Sequence, residues 1–164
     1  MMRDERGKEV DVDVSERRQG QRRWHPILQR HEWLVSAGAI LGVWARFAIS
    51  DYVSHHVSIA FPVATLVINL LGCLLIGSVQ ALFLDLLALR RELQLFLAVG
   101  LLGGFTTFST FSVETIQLIE AGHAGRAGLY VFLSLVGGPL IAVLGILLAH
   151  RGYDLLRPHV GPLR

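Results

Sequence analysis

Three stretches of this chain run for more than 20 residues without an Asp, Glu, Lys or Arg: 61–84, 93–113 and 127–149. A bilayer core about 30 Å thick is crossed by a helix of about 20 apolar residues, so each stretch is long enough to span. A fourth, 33–50, is shorter and carries Arg46 near its far end. With 164 residues in all, 52 % of them apolar, and a mean hydropathy of +0.52, little is left over for a soluble domain. The expected fold class is an all-α integral membrane protein with four transmembrane helices. Four helices seldom enclose an aqueous path alone, so one copy is not expected to make a pore.

The remainder is sorted by charge. Residues 1–32 are charge-dense and read as a disordered tail whose basic half lies against anionic headgroups. A four-helix region, 33–150, and a C-terminal tail, 151–164, follow. An even number of spans puts both termini and the 85–92 loop on one side. That side holds thirteen of the fifteen Lys and Arg residues, with only Arg46 and Arg126 opposite. The positive-inside rule therefore assigns the termini to the cytoplasm. No apolar signal segment is visible in the first thirty residues. Cys73 lies within a span and is alone, which excludes an intrachain disulfide. The net charge of +2 comes mainly from the ends and gives no reason to expect a nucleic-acid partner. Gly38 and Gly42, and again Gly100 and Gly104, have the four-residue spacing that lets membrane helices approach closely.

One segment breaks the apolar pattern. "GGFTTFSTFSVE", residues 103–114, gathers two glycines, five hydroxyls and three phenylalanines where a spanning helix would favour leucine. Glycine and β-branched threonine are poor helix formers. A lone Ser or Thr would bond back to its own helix, but so dense a set predicts a third helix broken at Gly103-Gly104. A broken helix offers loose carbonyls, which suit a hard cation, and a new N-terminus, which suits an anion. Phe108 and Phe111 are three apart, with Ser112 beside them, and phenyl edges carry the positive part of the ring quadrupole. The alternative for the two rings is ordinary core packing.

Other spans supply fewer polar groups. Asn69 stands mid-span with Thr65 one turn before it, either as interhelical glue or as a donor to an anion. Tyr130 and Ser134 share a face at i, i+4, either lining the same path or simply capping the bundle. Arg46 either snorkels to the interface or sits at an anion-attracting vestibule. Glu114 closes the third span, at the interface or as a hydrogen-bond acceptor. No acidic residue, Lys or His lies deeper, and the histidines lack ligand spacing, so neither a proton relay nor a transition-metal site nor an enzyme is indicated.

The third-span segment "GLLGGFTTFSTFSVE" closely resembles the third-helix signature of the Fluc (CrcB-type) fluoride channels. "GAILGVWARF" (38–47) and "FPVATLVINLLGCLLIG" (61–77) are similar to that family's first- and second-helix patterns, and the Tyr130/Ser134 helix fits its fourth. The likeness covers roughly 33–150, with Ala64 and Cys73 as mild departures. It implies an antiparallel (inverted) dimer in the bacterial inner (plasma) membrane that exports fluoride passively. It further implies a structural, untransported Na⁺ bound by main-chain oxygens of Gly103 and Thr106 from both subunits. By motif position, Phe108 and Phe111 would meet fluoride with their ring edges. Asn69 would be the pore asparagine, and Ser109, Thr110 and Ser112 the hydroxyl track. The charge bias fits a homodimer less simply than it fits pairing with an inverted paralogous subunit; the homodimer is the expectation. The rival readings are a small proton-coupled exporter, for which 33–50 supplies no carboxylate, and a non-transporting assembly subunit.

Overall fold

A computed structural model describes residues 31–57, 59–86 and 90–156. The expected N-terminal tail, up to residue 30, and residues 157–164 lie outside the described residues. Among the described residues all regular structure is helical, and four helical segments are long and apolar enough to cross a membrane: Glu32–His56, Val63–Phe83, Arg91–Glu120 and Ala124–Leu155. Large apolar side chains on these helices stay exposed, among them Trp44, Phe47, Phe132 and Leu140. A soluble protein does not present so much apolar surface, and a helix satisfies its own backbone in lipid. The chain is a multi-pass membrane protein.

Helix α1, Glu32–His56, runs six residues beyond the end expected at Ser50. Its last turn is held by its own side chains. Ser54 Oγ and His55 Nδ1 both donate to Asp51 O, and His56 Nδ1 donates to Tyr52 O, at 2.8 Å each. Such bonds satisfy carbonyls that a helix end leaves open. Helix α2, Val63–Gln80, follows Pro62 and passes into a wider helical stretch over Ala81–Leu86. Helix α3 covers 91–105 in three pieces: Arg91–Gln94, a wider-turned Leu95–Leu102, and Gly103–Phe105. Helix α4 is Phe108–Glu120 and α5 is Ala124–Leu156. At 33 residues, α5 is about 50 Å long, so it projects beyond a 30 Å core and takes up the start of the expected C-terminal tail.

The loop expected over 115–126 is mostly helix. The α4 helix continues to Glu120 and turns at Gly122, whose φ of 78° only glycine adopts freely. His123 N–H donates to Leu118 O and Gly122 N–H to Ile119 O, which closes the helix end and allows α5 to begin at once.

Glycines set the helix spacing, and the contacts are within the chain. A Cβ at Gly104 would lie 2.6 Å from Ala39 O, and one at Gly100 the same distance from Val35 O. Gly38 and Gly42 meet the backbone of α3 in return. The two four-residue spacings thus bring α1 and α3 into backbone contact. Helices α2 and α5 repeat the device, with Gly77 against Ala142 O and Gly145 against Leu74 O. Ser78 Oγ donates to Gly145 O at 3.1 Å across the same seam.

Candidate ion site between the second, third and fourth helices

The double glycine is not where the backbone leaves the helix. Gly103 has φ −64° and ψ −37°, and Gly103–Phe105 is helical. Close packing against α1 accounts for Gly104, because any side chain there would strike Ala39. The departure falls two residues later. Thr106 (φ −81°, ψ 157°) and Thr107 (φ −148°, ψ 116°) are extended. Both are β-branched, which suits extended backbone, and Thr is a favoured N-cap. Thr107 acts as that cap, its Oγ1 accepting the Thr110 N–H at 3.3 Å.

An extended pair inside a membrane protein must find partners for its peptide groups. Asn69 supplies them. Its Oδ1 accepts the Thr107 N–H at 2.9 Å, and its Nδ2 donates to Thr107 O at 3.0 Å. Thr107 N–H can only donate, so the amide orientation is fixed by the pairing. Thr106 N–H and Oγ1 both donate to Leu102 O, at 3.1 Å each. These bonds leave two oxygens over. Gly103 O loses its i+4 donor, because the Thr107 N–H is given to Asn69. Thr106 O is passed over, because the Thr110 N–H goes to the Thr107 hydroxyl.

Helix α2 aims its polar positions at this point by periodicity. Thr65, Asn69 and Gly72 stand at i, i+4 and i+7, one face of a helix. Gly72 lets the Thr106 methyl approach. Thr65 Oγ1 donates to Glu114 Oε1 at 2.8 Å, and Tyr130 Oη donates to Glu114 Oε2 at 2.8 Å. Glu114 therefore does not close the third span. It sits in the middle of α4 as an acceptor shared by α2 and α5, which selects the acceptor role from the two that its position in the sequence allowed.

The hydroxyls divide into two groups. Thr107 Oγ1 lies 3.0 Å from Thr110 Oγ1 and 3.2 Å from Ser109 Oγ, so Thr107 is the hub of the cluster. Ser112 Oγ instead donates back to Phe108 O at 2.9 Å. Sequence reasoning singled out Ser109, Thr110 and Ser112 but not Thr107. The available signal was its N-cap position, a threonine immediately before the helix resumes. On α5, Ser134 Oγ is buried and has no hydrogen-bond partner among the described residues. A buried hydroxyl in that condition is rare.

The two phenylalanines share a face but not an environment. Their ring centroids are 5.5 Å apart. Phe111 is buried and packs on Tyr130 at 5.0 Å, whereas Phe108 is 74 % exposed on the single chain. Thr107 lines two cavities. One, of about 340 Å³, is lined by Asn69, Cys73, Gly103, Thr106, Thr107 and Phe108. The other, of about 230 Å³, is lined by Arg46, Ser50, Thr65, Ile68, Thr107 and Thr110, among others. Arg46 thus faces hydroxyls, and its guanidinium has no ion pair among the described residues. The structure brings Arg46, Asn69, Gly103, Ser109 and Thr110 around the extended pair Thr106–Thr107. It places Phe111 and Tyr130 behind them, and Ser134 one turn further along α5.

The chemistry available here is electrostatic. It consists of carbonyl oxygens whose helical donors go elsewhere, hydroxyls, an amide, aromatic rings and a guanidinium with no ion pair among the described residues. The protein-family model described as "CrcB-like protein, Camphor Resistance (CrcB)" matches residues 33–146. Among curated proteins, the fluoride-specific ion channel FluC of Prosthecochloris aestuarii is 44 % identical over 116 residues, which cover 71 % of this chain and 90 % of that protein. The protein of the same name from Thermus thermophilus is 47 % identical over 112 residues, 68 % of this chain and 87 % of its own. That from Chlorobium chlorochromatii is 40 % identical over 119 residues, 73 % and 92 % respectively.

Proposed function

Given that the chain belongs to the CrcB-like family, we propose that it is a fluoride-specific ion channel that releases cytosolic fluoride passively across the bacterial inner membrane. The observation that carries this reading is the extended Thr106–Thr107 pair, held by Asn69 in the midst of a spanning segment. It sets backbone, hydroxyl and ring-edge groups at one place between two cavities. Fluoride is small and strongly hydrated, so a selective path must replace its water with donors while staying too narrow for chloride. The Thr107–Ser109–Thr110 cluster, the second Asn69 N–H and the unpartnered Ser134 hydroxyl are such donors. Arg46 raises the local anion concentration at the mouth of the path. Phe108 and Phe111 present ring edges along it. Fluoride enters cells as the neutral weak acid, dissociates in the more alkaline cytosol, and leaves as the anion down its gradient.

A second copy completes the path. Phe108 is exposed on the single chain, and its ring edge serves an anion only where another surface faces it. The partner in this reading is an inverted copy of the same chain, forming an antiparallel homodimer. Gly103 O and Thr106 O fit a hard cation, being main-chain oxygens without helical donors. They would hold a structural Na⁺ between the subunits, where it would supply fixed positive charge shared by the two chains. Gly103 is open to such an approach, a Cβ there meeting nothing nearer than 3.9 Å.

Purified protein in liposomes, followed with a fluoride electrode, tests the proposal. Fluoride efflux without chloride efflux is expected, with a large loss on Phe108→Ile. Equal rates for the two anions, or a Phe108→Ile rate matching the unmodified protein, would overturn it.

A further inference from the structure

Phe61 lies in the short connection between α1 and α2, outside every group assigned above. Its ring meets Tyr130 edge to face, with centroids 5.7 Å apart and planes at 73°. Tyr130 is fully buried. Phe111 covers it at 5.0 Å from α4, Phe61 covers it from the connection, and its hydroxyl is spent on Glu114. Two rings, from two different elements, therefore pack on Tyr130 beside its bond to Glu114.

The backbone around Phe61 is unusually constrained. Pro62 follows it and restricts it to extended conformations. Phe61 N–H donates to Ile59 O and Val63 N–H to Phe61 O, at 2.8 Å each, two tight turns in succession. The Arg126 Nη1 donates at 3.3 Å to Ala60 O, the carbonyl immediately before Phe61. Arg126 and Tyr130 stand at i, i+4 on α5, hence on one face. One helix therefore carries both the anchor for the connection and the ring that the connection covers.

We infer that Phe61 and Arg126 are positioning residues of the ion path: the Arg126–Ala60 bond seats the Phe61 ring on Tyr130, and that contact keeps the Tyr130 hydroxyl on Glu114. The inference rests on the proposed function only in taking the cavity lined by Thr65, the other donor to Glu114, as part of the path. Arg126 then acts through its hydrogen bond to Ala60 O.

Two measurements on the full-length protein decide it. The chain has three tyrosines, so 3-fluorotyrosine labelling gives three fluorine resonances, with that of Tyr130 assigned by Tyr130→Phe. Phe61→Leu and Arg126→Ala are expected to shift or broaden that resonance while leaving those of Tyr52 and Tyr153 in place. Arg126→Gln, which keeps a donor and removes the charge, is expected to leave it unchanged. In liposomes, Phe61→Leu is expected to slow fluoride efflux about three- to tenfold, the effect of one edge-on ring contact. It should add nothing on a Tyr130→Phe background. A Tyr130 resonance unmoved by both Phe61→Leu and Arg126→Ala overturns the inference. So does an efflux loss in Arg126→Gln equal to that in Arg126→Ala, or an additive double variant. If the unmodified protein conducts no fluoride, the channel proposal fails, while the fluorine spectra still decide whether Phe61 and Arg126 position Tyr130.

Discussion

Replacing Asn69 with Leu, a side chain of similar volume, removes both bonds that hold Thr107 in its extended conformation. Within a membrane protein an interhelical hydrogen bond contributes about 0.6 kcal/mol on average, so two lost bonds set a floor near 1.2 kcal/mol. The ceiling follows from stranding the Thr107 N–H and C=O without partners, at about 1–3 kcal/mol each. The backbone has a way to avoid that ceiling. If Thr106 and Thr107 turn helical, the Thr107 N–H can reach Gly103 O, the acceptor left open in the native arrangement. Gly103 and Gly104 are already helical, so the change spreads over two residues only. The expected outcome is therefore a folded protein, destabilised by about 1–3 kcal/mol, in which 91–120 becomes continuous helix. The hydroxyl hub at Thr107 and the open oxygens of Gly103 and Thr106 disappear together. Hydrogen exchange of the Thr107 amide, thermal unfolding in detergent and fluoride efflux from liposomes report these three effects. Asn69→Leu protein with unchanged Thr107 exchange and unchanged efflux would refute the reasoning, because the amide would then be holding nothing.

Gly104→Val places a branched side chain against Ala39, where even a Cβ would sit 2.6 Å from the carbonyl oxygen; a loss of at least about 1–3 kcal/mol by overpacking is expected, read as a lowered Tm in detergent. Glu114→Leu strands the hydroxyls of Thr65 and Tyr130, so it should destabilise by about 1–3 kcal/mol for each, while Glu114→Gln, which still accepts at one oxygen, should recover at least half of the loss in the same assay. Exchanging Na⁺ for a large organic cation throughout purification is expected to shift the protein from dimer to monomer by light scattering; a dimer that persists would remove the case for a cation at Gly103 and Thr106.

The class of the molecule was legible in the chain because hydropathy is additive along it: three long uncharged stretches force a membrane-spanning helical protein whatever their arrangement. Motif content was legible for the same local reason. The density of hydroxyls, rings and glycines in 103–114 identified the important segment, and Asn69 with Thr65 one turn before it supplied the second polar set. What the chain did not fix is which of two local defects yields. Gly103-Gly104 and Thr106-Thr107 both weaken a helix, and propensity alone favoured the glycines. Packing decided otherwise, since Gly104 is needed flat against Ala39 while Asn69, distant in sequence, pairs with the peptide groups of Thr107. Glu114 moved from the end of a span to a shared acceptor because its two donors come from Thr65 and Tyr130, on helices 49 and 16 residues away. Helix ends shifted likewise, at His56 and Glu120, where bonds at the helix end and not hydropathy set the limits. Burial cost is written in the sequence, whereas the partner that meets it is chosen only when distant helices come together.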